Sequence, residues 1–272
     1  MIYADDTQLY IAVKSGQILQ MLQKLEDCLH AIRSWLTENF LLLNDNKMEV
    51  LHLFSHRRRN TIELPPIQIT NGSVNSSKTV VNLGVTFDQN LSMRPHVNSI
   101  CRKASFALRK IGKIRKFLSK SSTEILVHAF ISSLLDSCNS LLHGIPEKDM
   151  AKLQRIQNSA ARLVSLTKKH DHITPTLKQL HWLPIQFRVQ FKVLLLTFKS
   201  LHGHAPDYLS ELIQLYTPNR PLRSANQTLL TVKKATTKNL VIGPFHALLR
   251  VCGILSQPPF VASLILLCLH QN

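Results

Sequence analysis

The chain has 272 residues, enough for one large or two small domains, and its 44% hydrophobic content excludes a disordered tail. It carries 33 lysines and arginines against 16 acidic residues, a net charge of +17, which indicates nucleic acid as partner, with an anionic membrane surface as alternative. Five cysteines without CxxC spacing argue against a disulfide framework or zinc knuckle and favour a reducing, intracellular compartment.

The first 90 residues mix strand and helix patterns. Residues 7–13 are rich in β-branched and aromatic side chains and predict a short strand. Apolar residues recur every three or four positions over 16–40 and predict an amphipathic helix, with Trp35 in the core. Asn71-Gly72 is a hairpin turn signal. Three further strands are predicted at Glu49–Phe54, Ile67–Thr70 and Val80–Phe87.

From about residue 93 the pattern becomes helical. The first helix is amphipathic and basic, with an apolar stripe on one side and cations around the rest. Ser121 and Glu124 have capping-box spacing and predict the start of a second helix, which runs to about Leu142. Trp182 lies among apolar residues and is expected in the core. Further helices are predicted over 147–167, 174–181, 184–201 and 206–215.

Two adjacent carboxylates, Asp5 and Asp6, stand just before the first long strand. At the tip of a hairpin both can approach one divalent ion, and carboxylate oxygens are ligands that suit Mg²⁺. Two-metal nucleotidyl transfer needs at least two such carboxylates. An acidic turn without a role is the alternative for an isolated pair.

Several motifs follow this pair in a fixed order. They are YADD, SWLTENFLLLN, NDNKMEVLHLF, LGVTFDQNLSMRPHV, DSCNSLLHGIP, LQRIQNSAARLV and the segment from His172 to Ile213. Together they resemble the C-terminal part of LINE-type (non-LTR) retrotransposon reverse transcriptases, over about residues 3–230. Met48, Met93 and Ser137 depart from the family pattern, which has threonine, tryptophan and an aromatic residue there.

The resemblance implies specific roles. In the family, YADD is the palm hairpin that binds the catalytic metals, which makes Asp5 a Mg²⁺ ligand, Asp6 an auxiliary carboxylate and Tyr3 a neighbour of the primer end. Lys47 matches the lysine of the LNxxKTE motif, where it could donate a proton or balance charge; a solvated turn lysine is the alternative. Gly84 falls in the primer-grip hairpin and would let two backbones approach closely.

The implied fold is α+β and mostly α. It comprises a partial palm at 1–92, thumb-like basic helices at 93–143 and a C-terminal helical region at 144–215. Residues 216–272 are predicted to form a linker and an unstructured tail. The family has a segment like APxxWNSLP near residues 249–257, and a second reading frame of compatible codons gives PSVWNSLP, which suggests an out-of-frame tail.

In a thumb, a basic helix follows the phosphates of the template–primer without reading sequence. The solvated face of an ordinary helix is the alternative. The expected contacts are Arg102, Lys103, Arg109, Lys110, Lys113, Arg115 and Lys116.

The expected partner is therefore an RNA or DNA template–primer, with a dNTP as the small molecule of the intact family enzyme and no membrane. No residues before YADD match the family's earlier palm strand and its Asp, so Mg²⁺ is expected only if those residues complete the site. The sequence thus predicts a reverse transcriptase fragment that is inactive alone, in the nucleus or cytoplasm and not secreted. The alternatives are a non-catalytic nucleic-acid-binding module and a decayed element's product without selected function.

Overall fold

The computed structural model describes residues 2–3, 6–13, 17–54, 65–69, 72–211, 213 and 263–270. The chain divides into two units, one of residues 1–95 with 257–272 and one of residues 96–256. Helix predominates over strand, as predicted. In the part of the chain covered by these ranges, no helix is both long and apolar enough to cross a bilayer.

The first unit contains a five-stranded sheet, one helix and two small hairpins. Its elements are β1 (Ile2–Tyr3), β2 (Asp6–Val13), α1 (Ile18–Glu38), β3 (Glu49–Phe54), β4 (Ile67–Ile69), β5 (Gly72–Val74), β6 (Ser76–Ser77), β7 (Thr79–Asn82), β8 (Val85–Asp88) and, much later in the chain, β9 (Ser263–His270). The sheet order is β1-β2-β9-β3-β6, and only β3 and β6 are parallel neighbours. The hairpins are β4–β5 and β7–β8.

Strand β9 corrects the prediction of an unstructured tail for its eight residues. It lies between β2 and β3, where Leu267 is opposite both Leu9 and Val50. An apolar segment with a partner on each side suits a central strand, and it gives the facing edges of β2 and β3 the hydrogen-bond partners that an open edge lacks. Residues 216–262 and 271–272, also predicted as linker and tail, lie outside the described residues.

Helix α1 packs one narrow stripe against the sheet. Leu22, Leu25 and Leu29 are buried with Met48 and Val50 in one apolar cluster. The predicted stripe was too wide. Trp35, expected in the core, is 57% exposed, whereas the adjacent Leu36 is 1% exposed. One residue turns the helix by about 100°, which is enough to move Trp35 out of the packed face.

The described part of the second unit is helical. Its elements are α2 (Arg94–Ile114, whose first two residues belong to the first unit), α3 (Lys120–Val127), α4 (Ser133–Asp136), α5 (Glu147–Ser165), α6 (Ile173–Gln179), α7 (Ile185–Leu201) and α8 (Asp207–Ser210). Helix α5 packs against α3, α6 and α7. Its buried side carries Leu153, Ile156, Ala160, Ala161 and Val164.

The helix predicted from Ser121 to Leu142 is divided into shorter pieces. Its N-cap is Ser119, whose Oγ accepts the N–H of Ser122 at 3.0 Å, so the capping-box prediction at Ser121 is wrong by two residues. A π-helical turn, His128–Ser132, separates α3 from α4. Helix α4 ends at Asp136, and Cys138, with a φ of 50°, precedes a 3-10 turn over Asn139–Leu142.

The second unit should become less stable in acid because of His96. Its side chain is buried in α2; burial lowers the pKa of the imidazole, and the charge of Lys103 lowers it further. Below the ordinary value of 6.5 the unfolded chain takes up the proton first, so the free energy of unfolding falls as pH drops toward the folded pKa. This group contributes at most about 1.4 kcal/mol per pH unit. Urea unfolding at pH 7.5 and 5.5 should show a smaller pH effect for His96→Gln; an unchanged pH effect contradicts this.

Candidate nucleic-acid interface and acidic hairpin

The YADD segment spans the connection between β1 and β2. The two strands pair antiparallel with Tyr3 opposite Asp6, so residues 4 and 5 connect them. Asp5 lies outside the described residues, and only the backbone of Tyr3 and Asp6 is described. Within the described ranges, no three His, Cys, Asp or Glu side chains are grouped to hold a metal ion.

Lys47 ends a short 3-10 turn that follows α1. The turn, Asp45–Lys47, is capped by Asn44, whose side chain accepts the N–H of Asn46 at 3.2 Å. Asp45 forms an ion pair with Arg33 of α1, which holds the turn on the helix. The side chain of Lys47 is exposed. Exposure is compatible with both interpretations of this lysine, the catalytic one and the solvated one.

Gly84 lies in a turn, although the sequence predicted it in the middle of a strand. The strand predicted over 80–87 is the hairpin β7–β8, turned at Leu83 and Gly84 with φ values of 45° and 81°. Two consecutive positive φ values are typical of a type I′ hairpin turn. A Cβ added at Gly84 would meet nothing within 4 Å. Glycine therefore serves the left-handed backbone here, and the expected close backbone approach is wrong.

A buried hydrogen bond closes the segment between β8 and α2. The carboxylate of Asp88, 8% exposed, accepts the backbone N–H of Met93 at 3.0 Å. Met93 has a φ of 57°, unusual for a residue with a side chain. The bond stabilises the backbone of this segment. Asp88 thus has a local structural role that the sequence did not predict.

Exposed cations cover the side of α2 that faces away from the core. At about 100° per residue, Arg102, Arg109 and Lys113 fall opposite the buried Ala104 and Ile111. Residues 94–117 contain no acidic residue, so no carboxylate of this segment neutralises the surface. The exposed cations, called the basic face below, are Arg102, Lys103, Arg109, Lys110, Lys113 and Lys116.

Aromatic rings lie among these cations. Phe106 and Phe117 are 54% and 77% exposed. The Nζ of Lys110 lies 4.7 Å from the Phe106 ring centroid, and the Nζ of Lys116 lies 4.8 Å from that of Phe117. Such cation–π pairs keep the ammonium groups over apolar surface. Neither ring was predicted as part of this surface, although the spacing of Phe106 and Lys110 by one helical turn is visible in the sequence.

Arg115 belongs to the fold and not to the basic face where it was predicted. Its Nε and Nη2 donate to the carbonyls of Leu163 and Val164 at 2.8 and 3.0 Å, and its Nη1 donates to Leu118 at 2.8 Å. The last carbonyls of α5 have no partner inside that helix, so the guanidinium acts as their cap. This contact joins the end of α2 to the end of α5.

Comparisons with protein-family models, curated proteins and solved structures give no match.

Substitutions at Arg115 and Lys113 should separate structure from binding. Arg115→Gln leaves the α5 carbonyls without their charged donor and should lower the free energy of unfolding by about 2–4 kcal/mol. Lys113→Gln removes an exposed charge and should change it by less than about 0.5 kcal/mol. Urea denaturation followed by circular dichroism measures both; equal losses would contradict the role of Arg115.

Proposed function

We propose that this chain is the C-terminal part of a LINE-type reverse transcriptase, and that its helical unit binds nucleic acid through the basic face of α2. The basic face carries the proposal. It presents six exposed cations, five on α2 and Lys116 in the 3-10 turn that follows, in a segment without acidic residues. From Arg102 to Lys113 it extends about 16 Å, which matches roughly five phosphates along one strand of a duplex. Contacts of this kind hold the backbone of a duplex without reading its sequence.

The order of the sequence motifs supports the family assignment. YADD falls at the β1–β2 connection, and LGV falls at the turn of β7–β8. The motifs from DSCNSLLHGIP onward occupy the helical unit. The proposal accordingly assigns the first unit to a partial palm, and α2 and the helices after it to a thumb and a C-terminal helical region.

A non-catalytic nucleic-acid-binding module is the second candidate. It needs only the basic face and the aromatic rings within it, whose geometry does not depend on Asp5 or Asp6. Polymerisation distinguishes the two candidates, because only the first requires metal chemistry.

Primer extension tests the acidic pair. We expect no extension from this chain alone with Mg²⁺, because the near-octahedral ion needs several oxygen ligands placed together and Asp5 and Asp6 supply one adjacent pair. Two other carboxylates of the first unit serve the fold: Asp45 pairs with Arg33, and Asp88 accepts from Met93. The assay uses a primed homopolymer RNA and labelled dNTP. Extension that Asp5→Asn abolishes would overturn the expected inactivity and identify a working polymerase.

The salt dependence of binding tests the basic face. The double variant Lys110→Gln/Lys113→Gln should flatten the slope of log K against log salt by about 0.9 for each phosphate that the variant no longer neutralises. Fluorescence anisotropy with a labelled RNA–DNA duplex between about 50 and 200 mM salt measures that slope. The matched control is Lys148→Gln/Lys178→Gln, which removes the same charge from exposed positions of α5 and α6. Equal slopes for the two double variants would show that only net charge matters and would contradict the proposed surface.

A further inference from the structure

Helix α7 leaves a row of large apolar side chains exposed. Phe187, Phe191 and Phe198 are 51%, 59% and 55% exposed, and Leu194 and Leu201 are 67% and 37% exposed. Their spacing of four, three, four and three residues places all five within an arc of about 80°. This surface, called the aromatic face below, extends about 20 Å along the helix. Its opposite side packs inward through Ile185 and Val189, which are each 1% exposed.

A row of cations runs beside the aromatic face. Each of the three phenylalanines is followed directly by a basic residue: Arg188, Lys192 and Lys199. One position further along a helix means a rotation of about 100°, so the three cations share one flank of the aromatic face. No acidic residue occurs in α7. Flat rings beside a line of cations are the elements that proteins use to hold unpaired nucleic-acid strands.

Phe191 of the aromatic face lines an open cavity of about 570 Å³. Phe191 and Lys192 line it on the α7 side, and Trp182 and His128 line it elsewhere. The rings of Trp182 and His128 meet edge to face with centroids 5.4 Å apart. His128 begins the π-helical turn, an irregularity that often marks a functional site. The volume lies in the range of sites for small organic ligands, which includes a nucleotide.

The acidic residue of the cavity lining is already neutralised. Arg188 lies 2.8 Å from the Oδ2 of Asp136, and the amide of Asn139 donates to its Oδ1 at 3.4 Å. Burial raises the pKa of the Asp136 carboxyl, and Arg188 opposes that rise. Arg188 is thus engaged by Asp136, and Lys192, which also lowers the pKa of that carboxyl, is the lysine of the cavity lining that can contact a phosphate.

We propose that the aromatic face and its cavity bind an unpaired strand of nucleic acid. Bases stack on Phe191 and on Phe198, whose ring already stacks on one side against His202 with centroids 4.0 Å apart. The phosphates face Lys192 and Lys199, and one base enters the cavity beside Trp182. Stacking on aromatic rings is available to every base, so this surface tolerates any sequence. The inference rests on the proposed nucleic-acid binding, but it concerns a second surface and a different form of the strand.

Charge favours this occupant over a second copy of the chain. Two copies packed through their aromatic faces would bring two rows of cations together without an acidic residue on either helix. Like charges placed across an interface oppose association. A polyanion instead gains from the exposed Lys192 and Lys199, in keeping with the chain's net charge of +17.

The test compares single and double strands. The variant Phe191→Ala/Phe198→Ala should bind a labelled 15-nucleotide single-stranded oligothymidine roughly 10- to 100-fold more weakly, since each stacked base contributes substantially. Its affinity for an RNA–DNA duplex of the same length should stay within about twofold, because the basic face holds the duplex. The control, Leu19→Ala/Phe40→Ala, truncates side chains that are 75% and 97% exposed in the first unit, and it should change neither affinity.

A strand with abasic sites separates stacking from damage to the fold. The wild type should bind the abasic strand about as weakly as Phe191→Ala/Phe198→Ala binds the normal strand. The affinity of that variant should be only slightly lower for the abasic strand than for the normal one. Equal losses on normal and abasic strands, or an unchanged single-strand affinity, overturn the inference while duplex binding leaves the proposed function standing. Failure of the wild type to bind either form overturns both.

Two other occupants have their own signatures. A wild-type dimer in sedimentation that the α7 variant converts to monomer, with unchanged single-strand affinity, would make the face a protein contact and overturn the inference. Binding to phosphatidylserine vesicles that the variant abolishes, again with unchanged single-strand affinity, would make it a membrane contact and overturn it equally.

Tryptophan fluorescence tests the cavity. The chain has two tryptophans, so Trp35→Phe leaves Trp182 as the sole reporter. Titration with the 15-nucleotide strand should quench it saturably, and thymidine 5′-monophosphate should produce the same quenching only at much higher concentration. Absence of quenching at saturating strand would overturn the placement of a base beside Trp182. Equal potency of the mononucleotide would overturn the strand as ligand and make the cavity a free-nucleotide site.

Discussion

Three hydrogen bonds from one guanidinium fix the architecture of the helical unit. Arg115 donates to two carbonyls at the end of α5 and to Leu118 just beyond α2. Because the cap joins the ends of two helices, it fixes how α2 is rotated about its axis. That rotation turns Ala104 and Ile111 inward and leaves Arg102, Arg109 and Lys113 in solvent. Arg115, which the sequence predicts to be a nucleic-acid contact, therefore positions the basic face. The cations that face solvent depend on its hydrogen bonds for their orientation.

The basic face and the aromatic face share one charge pattern. Neither α2 nor α7 contains an acidic residue, and each combines cations with exposed phenylalanines. Nearby carboxylates are engaged by the fold instead: Asp149 pairs with Lys152, and Asp136 pairs with Arg188. The pairing with Asp136 neutralises Arg188 of α7, while Lys192, Lys199 and the cations of the basic face remain as a positive field. Cations clustered at this density oppose compact folding, and the proposed binding of a polyanion would offset that cost.

Sequence periodicity predicted the helices and strands that depend on the spacing of apolar residues within the segment itself. Strand Glu49–Phe54 and most of α1 and α7 follow from apolar spacing alone. Features set by distant residues were missed: β9 depends on two strands more than 200 residues away in sequence, and the role of Arg115 depends on carbonyls 48 and 49 residues later. Ser119 and Ser121 offer the same capping hydroxyl, and only the observed helix start selects the first. For Asp5 and Asp6, the structure describes only the backbone pairing of Asp6 with Tyr3. The metal-binding role of the acidic pair stays a prediction.

Helix α5 links the two proposed surfaces. It packs against α7, and it receives the Arg115 cap from the end of α2. The basic face and the aromatic face are therefore both joined to one helix within one unit. Under the proposed assignment to a reverse transcriptase, the substrate has two forms in one molecule, because a template is paired with its primer on one side of the growing end and unpaired on the other. A unit that holds the phosphates of a duplex in one place, and unpaired bases against rings in another, has the chemistry to bind both forms at once. On this view, the helical unit would select the junction between them and not a particular sequence.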